Sequence, residues 1–180
     1  MPLINDGSLT LLKENAWWMA WLAFNAAVAV YDLGWRRVPN WLVSIAALAQ
    51  LGWLISHSLA GAWPASGPRG WLDAGLPFAI GLLFIVFWRL RLMGAGDVKY
   101  LAVLGLWLGL MPWLMVLLLA SVPAGIHALG QALAVMRHPR RVRRGVPYAG
   151  YLALFALSLA LMPSNSPWCS WCSSWLSTAF

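Results

Sequence analysis

Acidic side chains are scarce in this chain: five Asp and Glu stand against twelve Lys and Arg, and charged residues of either sign make up only 9%. Soluble domains carry about 25%, so a water-soluble globular protein is excluded. Cysteine is nearly missing as well. The two present, in Cys169-Ser170-Trp171-Cys172, cannot close a zinc site, which takes four ligands, and no second pair exists. A local disulfide in an oxidising space, or a tail without function, are the readings left for that pair. His57, His127 and His138 fall in different segments without ligand-like spacing, so no metal or cofactor is expected. Internal repeats are absent. No small-residue cleavage site follows the first apolar run, which is expected to stay in the mature protein.

What the chain has is hydrophobic length. Of its 180 residues 62% are hydrophobic, with a mean hydropathy of +0.72, which fits an integral membrane protein embedded in a lipid bilayer. Six stretches approach the roughly 17–25 residues of a spanning helix: 16–31, 41–59, 72–88, 98–110, 113–136 and 148–162. The expected fold is all-α, a polytopic membrane bundle of about six transmembrane helices. Residues 1–162 form one embedded domain, and 163–180 form a Trp/Cys/Ser-rich tail. The fourth stretch is short for a span unless Met93–Asp97 or Met111–Pro112 lie at membrane depth inside the bundle. Fourteen tryptophans are present, and Trp17, Trp18, Trp41, Trp71, Trp113 and Trp168 flank the apolar runs, where rings settle at the lipid–water boundary.

Basic residues collect in alternate links. Arg36 and Arg37 follow the first stretch, Arg89 and Arg91 the third, and Arg137, Arg140, Arg141, Arg143 and Arg144 the fifth. By the positive-inside rule these links are cytoplasmic and both termini lie outside. The net charge of +7 is thereby assigned to membrane orientation, not to nucleic acid. The run 140–144 also suits anionic lipid, at roughly 1 kcal/mol per residue near the surface.

Two acids stand at the ends of apolar runs: Asp32 closes the first and Asp97 opens the fourth. Each is costly at a membrane, by roughly 2.5–3.5 kcal/mol near a helix centre, and is a functional hypothesis by default. Both ends belong to cytoplasmic links, so the two carboxylates are expected on one membrane face. Close carboxylates cannot both ionise cheaply; one keeps a proton while the other is charged, the arrangement of aspartic proteases. Partial burial is expected to raise their pKa values, unless Lys99 offsets it. Gly94 and Gly96 precede Asp97 and admit close approach of a substrate backbone or a neighbouring helix. Their plainer reading is tight helix packing.

Gly94-Ala95-Gly96-Asp97-Val98-Lys99, followed by Leu104-Gly105-Leu106-Trp107-Leu108-Gly109, resembles the GxGD block of bacterial type IV prepilin peptidases. Asp32 with Arg36-Arg37-Val38-Pro39-Asn40 is similar to that family's first aspartate block, and Val146-Pro147-Tyr148-Ala149 to the proline-containing block opening its last helix. The resemblance implies a membrane aspartic endopeptidase with Asp32 and Asp97 catalytic, and with Gly94, Gly96 and Lys99 positioning substrate or loop. Lys99 can equally snorkel to headgroups. The implied partner is a prepilin or pseudopilin whose leader is removed at the cytoplasmic face of the bacterial inner membrane. The link from Arg36 to Trp41 is too short for the Cys-rich insertion of larger members, so the chain looks like the short Flp/Tad type, without N-methyltransferase activity. Two rivals use the same acids: GxGD proteases acting on preflagellin or signal-peptide-type substrates, and an ion-coupled transporter. A third, a structural subunit that has merely kept the fold, leaves both acids without a purpose.

Overall fold

The computed structural model describes residues 6–61, 63, 67–91, 93–137 and 146–160. The basic run 140–144, His138 and the tail from 163 with its cysteines lie outside them. Among the described residues there is no strand. The helices are α1 (Asp6–Trp35), α2 (Asn40–Leu59), α3 (Trp71–Leu83), α4 (Ile85–Arg89), α5 (Ala95–Leu108), α6 (Leu110–Arg137) and α7 (Tyr148–Ala160). The protein is an all-helical membrane bundle. Three of its helical segments, Asn40–Leu59, Trp71–Arg89 and Leu110–Ala134, are long and apolar enough to cross a bilayer.

The boundaries follow from local chemistry. Pro39 restricts Val38 to extended backbone and then starts α2 as its N-cap, with ψ 134°. Gly109, at φ 78°, separates α5 from α6 in a conformation that glycine tolerates without a Cβ clash. Met111 and Pro112, outside the expected stretches, and Leu110, expected to end the fourth, therefore belong to the first turn of α6, where the missing proline N–H costs nothing. The third stretch is not one straight helix. It breaks at Phe84, whose N–H turns back to Gly81 O at 3.3 Å, and continues as the short α4.

The short fourth stretch is the centre of the bundle. At 14 residues, α5 is about 21 Å long, and Val98 together with Tyr100–Trp107 is buried. It packs on α2, α3, α4, α6 and α7, so a helix too short to cross a bilayer unaided is surrounded by protein. Its tightest neighbour is α3. A Cβ placed on Gly81 would stand 2.6 Å from Ala102 Cα, and one on Gly105 would stand 2.8 Å from the Pro77 carbonyl carbon. These two glycines let backbone meet backbone, the packing that small residues allow between membrane helices.

Two tryptophans expected at the lipid boundary are core residues instead. Trp17 and Trp113 are 5% and 0% exposed, because each indole N–H has a partner inside the bundle. Trp17 donates to Gln50 Oε1 (2.9 Å) and Trp113 to Leu101 O (2.9 Å). Gln50 in turn donates to Leu106 O at 3.2 Å, so its buried amide is satisfied. Trp18, Trp41 and Trp71 are exposed, consistent with their expected surface position.

Candidate active site

A cavity of about 1080 Å³ opens between the ends of α1, α4 and α5 and the middle of α6. Asp32 and Asp97 both line it. Asp32 lies three residues before the end of α1 and is buried; Asp97 is half-buried in the first turn of α5. Both carboxyls stand just beyond the apolar stretches 16–31 and 98–110.

What brings them together is the start of α7. The Gly150 N–H donates to Asp32 Oδ2 at 2.6 Å, and the neighbouring Ala149 N–H donates to Asp97 Oδ1 at 3.1 Å. The second Asp97 oxygen accepts the Gly94 N–H at 3.3 Å, closing the N-terminus of its own helix. Burial raises the Asp97 pKa to about 6, reinforced by the Asp32 charge and opposed by the N–H groups of Ala149 and Gly94 that donate to it. Asp32 is raised chiefly by burial, with the Gly150 N–H and the Arg36 charge acting against it. Two acids that each disfavour the other's charge, in one cavity, can hold one proton between them.

The other expected positioning residues fall into place differently. Met93, Gly94 and Gly96 line the cavity; Met93 and Gly94 precede α5, with Gly94 as its N-cap, whereas Ala95–Asp97 are already helical. Neither Gly94 nor Gly96 has a positive φ. Gly94 matters through close approach: a Cβ there would sit 3.0 Å from Asp97 Oδ2, whereas one at Gly96 would make ordinary contact with Val38 at 3.5 Å. Lys99 also lines the cavity, yet its ammonium donates to Asn40 Oδ1 at 3.0 Å, tying α5 to the first residue of α2. Arg36, Arg37 and Arg91 complete a basic rim. Arg36 and Arg91 have φ of 53° and 59°, left-handed helix ends where glycine is usual.

Sequence reasoning placed Tyr148 and Ala149 in a block opening the last helix but gave them no role at the site, and it missed the Gly150 donor and Ser121, whose hydroxyl pairs with that of Tyr148 at 2.9 Å on the cavity wall. The signals available were that block's resemblance and Pro147 itself, a proline directly ahead of an apolar helix. Phe84, Phe87 and Trp88, with Ala124, Gly125 and Ala128 of α6, give the cavity an apolar part of its lining. Among the described residues no group of three or more His, Cys, Asp and Glu is placed to hold a metal ion.

Fold and site together define a helical membrane bundle with paired acids in one cavity. The sequence profile of the type IV leader peptidase family matches residues 19–129, well over half of the chain and inclusive of both acids. The chain belongs to that family. Searches of curated proteins and of solved structures each give no significant match.

Proposed function

We propose that this protein is an aspartic endopeptidase that removes the leader of Flp-type prepilins or pseudopilins at the cytoplasmic face of the inner membrane. The observation that carries the reading is the bracketing of Asp32 and Asp97 by adjacent N–H groups of one helix turn inside a single cavity. Family membership supplies the substrate class, a leader-bearing pilin-like protein.

The chemistry follows from the pair. The ionised carboxylate takes a proton from a water molecule as the water oxygen bonds to the scissile carbonyl carbon, and the protonated partner gives its proton to the carbonyl oxygen. The carbon–nitrogen bond then breaks, and the proton taken from water passes to the departing amine. The hydroxyl proton returns to the second carboxyl, which restores the pair without a covalent enzyme intermediate. The apolar wall of the cavity suits the hydrophobic helix that follows a pilin leader, and the acids stand where that helix would leave the bilayer. The chain holds no room between Arg36 and Trp41 for a methyltransferase insertion, so the new N-terminus is left unmethylated.

Co-expression of the chain with a short Flp-type prepilin tests this. The expected result is leader removal with an unmethylated mature terminus, and loss of that removal in Asp32→Asn and in Asp97→Asn. Processing that persists in either variant, at normal protein levels, would remove the paired-acid mechanism.

A further inference from the structure

We propose that the first turn of α7 is the positioning element of the acid pair, with Ala149 and Gly150 acting as positioning residues whose consecutive N–H groups set the separation and facing of the two carboxylates. The catalytic consequence rests on the peptidase reading above. Both residues lie outside the stretch 19–129 that the family profile matches.

The first N–H groups of any helix have no partner within it. In α7 the first i→i+4 bond is Tyr151 N–H to Pro147 O at 3.3 Å, so the amides of Ala149 and Gly150 must find acceptors elsewhere. They find one carboxylate from α1 and one from α5. Neighbouring backbone nitrogens in a helix are roughly 3 Å apart and rigidly connected, so two acids distant in sequence are held to a fixed bracket. No pair of flexible side-chain donors holds distance so tightly.

Three further contacts keep the bracket in place. Pro147, with φ locked by its ring, leads into the turn. Tyr148 pairs with Ser121 of α6, whose hydroxyl donates to Leu117 O at 2.6 Å, leaving the tyrosine O–H to donate to Ser121 Oγ. Gly150 supplies the clearance: a Cβ on it would stand 3.1 Å from Leu33 Cγ and Cδ2 and 3.3 Å from Asp32 Oδ2. The charged and titratable groups around the pair, besides the two acids themselves, are Arg36 from α1, Tyr100 from α5, which feels the Asp32 charge, and Tyr148 from α7, with Arg37, Arg91 and Lys99 lining the same cavity.

The test uses the full chain in proteoliposomes, with Ala149→Pro deleting the donor to Asp97 and Gly150→Ala crowding the Asp32 carboxylate. Proline is accepted in a first helical turn, where the lost N–H served no intrahelical bond. Difference infrared spectra follow the carboxyl bands against pH, with Asp32→Asn and Asp97→Asn assigning them. The expected result is that Ala149→Pro moves the Asp97 midpoint upward by roughly one pH unit, since a hydrogen bond to the ionised form is gone. Gly150→Ala should move the Asp32 midpoint in the same direction. Leader cleavage should fall roughly tenfold or more in each. If Gly150→Ala does not accumulate, the double variant with Leu33→Ala relieves the second clash and carries the same measurement. Loss of cleavage with unmoved midpoints would assign the turn to packing alone and overturn the proposal, as would parental midpoints with parental cleavage. If the parent cleaves no prepilin the peptidase reading fails, and the infrared midpoints still decide the bracket.

Discussion

The contact between α3 and α5 sets where Asp97 stands, and its tolerance is small enough to predict. Alanine at Gly81 or Gly105 places a Cβ 2.6 Å from Ala102 Cα or 2.8 Å from the Pro77 carbonyl carbon. Carbon atoms settle at about 3.5–4.0 Å, so the helices must separate by roughly 1 Å. Neither obstacle is a flexible side-chain tip. Overpacking of this kind costs about 1–3 kcal/mol, and a chain of this size loses about 2–4 °C of melting temperature per kcal/mol. Each variant should therefore melt several degrees below the parent in detergent, followed by circular dichroism. Asp97 begins the same rigid helix, so leader cleavage should drop as well. Gly52→Ala is the control, because no atom lies within 4 Å of a Cβ there, and alanine is the better helix former by about 1 kcal/mol. Gly81→Ala and Gly105→Ala melting at or above the parent, as Gly52→Ala should, would refute the reasoning.

Asp73→Ala removes the acceptor for the Leu110 N–H (2.9 Å) and the Arg69 N–H (3.0 Å); the expected loss is about 1 kcal/mol of stability, read as a lower melting temperature with the pH profile of cleavage unchanged. Lys99→Met unties Asn40 from α5 and should lower cleavage about three- to tenfold, and Asn40→Ala should do the same; an effect of Lys99→Met with none from Asn40→Ala would place the lysine's work elsewhere. Asp97 is raised from 3.8 to about 6, so the proton shared by the pair departs as pH rises through that value. Cleavage should decline above it by roughly tenfold per pH unit. Stability has the same sign: a carboxyl with its folded value above its unfolded one favours the fold at low pH and loses that contribution between about 4 and 6. A rate still climbing at pH 8 would contradict the assignment.

Much of this architecture was legible because the bilayer imposes long apolar runs. The six stretches coincide with six helical rods, counting α3 and α4 as one broken rod, and the two acids at run ends do share a cavity. The break at Phe84 left no mark, since neither proline nor glycine occupies it and the turn is made by backbone bonds. Trp17 and Trp113 look like boundary rings in sequence, but their fate depends on Gln50 and on the Leu101 carbonyl, partners distant along the chain. The Ala149 and Gly150 donors were invisible for a deeper reason: every residue but proline carries an N–H, so a backbone donor has no side-chain signature. Lys99 was recognisable as part of a motif, yet its partner Asn40 is known only from the packing of α2 on α5.

The proposed cleavage depends on Asp32 and Asp97 acting as one unit on one water molecule. Cleavage kinetics of the purified protein with Asp32→Asn, Asp97→Asn and the double variant test that most directly, because groups acting together are strongly non-additive. Each single substitution should lower the rate by roughly a thousandfold or more, and the double should be no slower than either single variant. A single variant within tenfold of the parent, or a double variant slower by the product of the two losses, would contradict it.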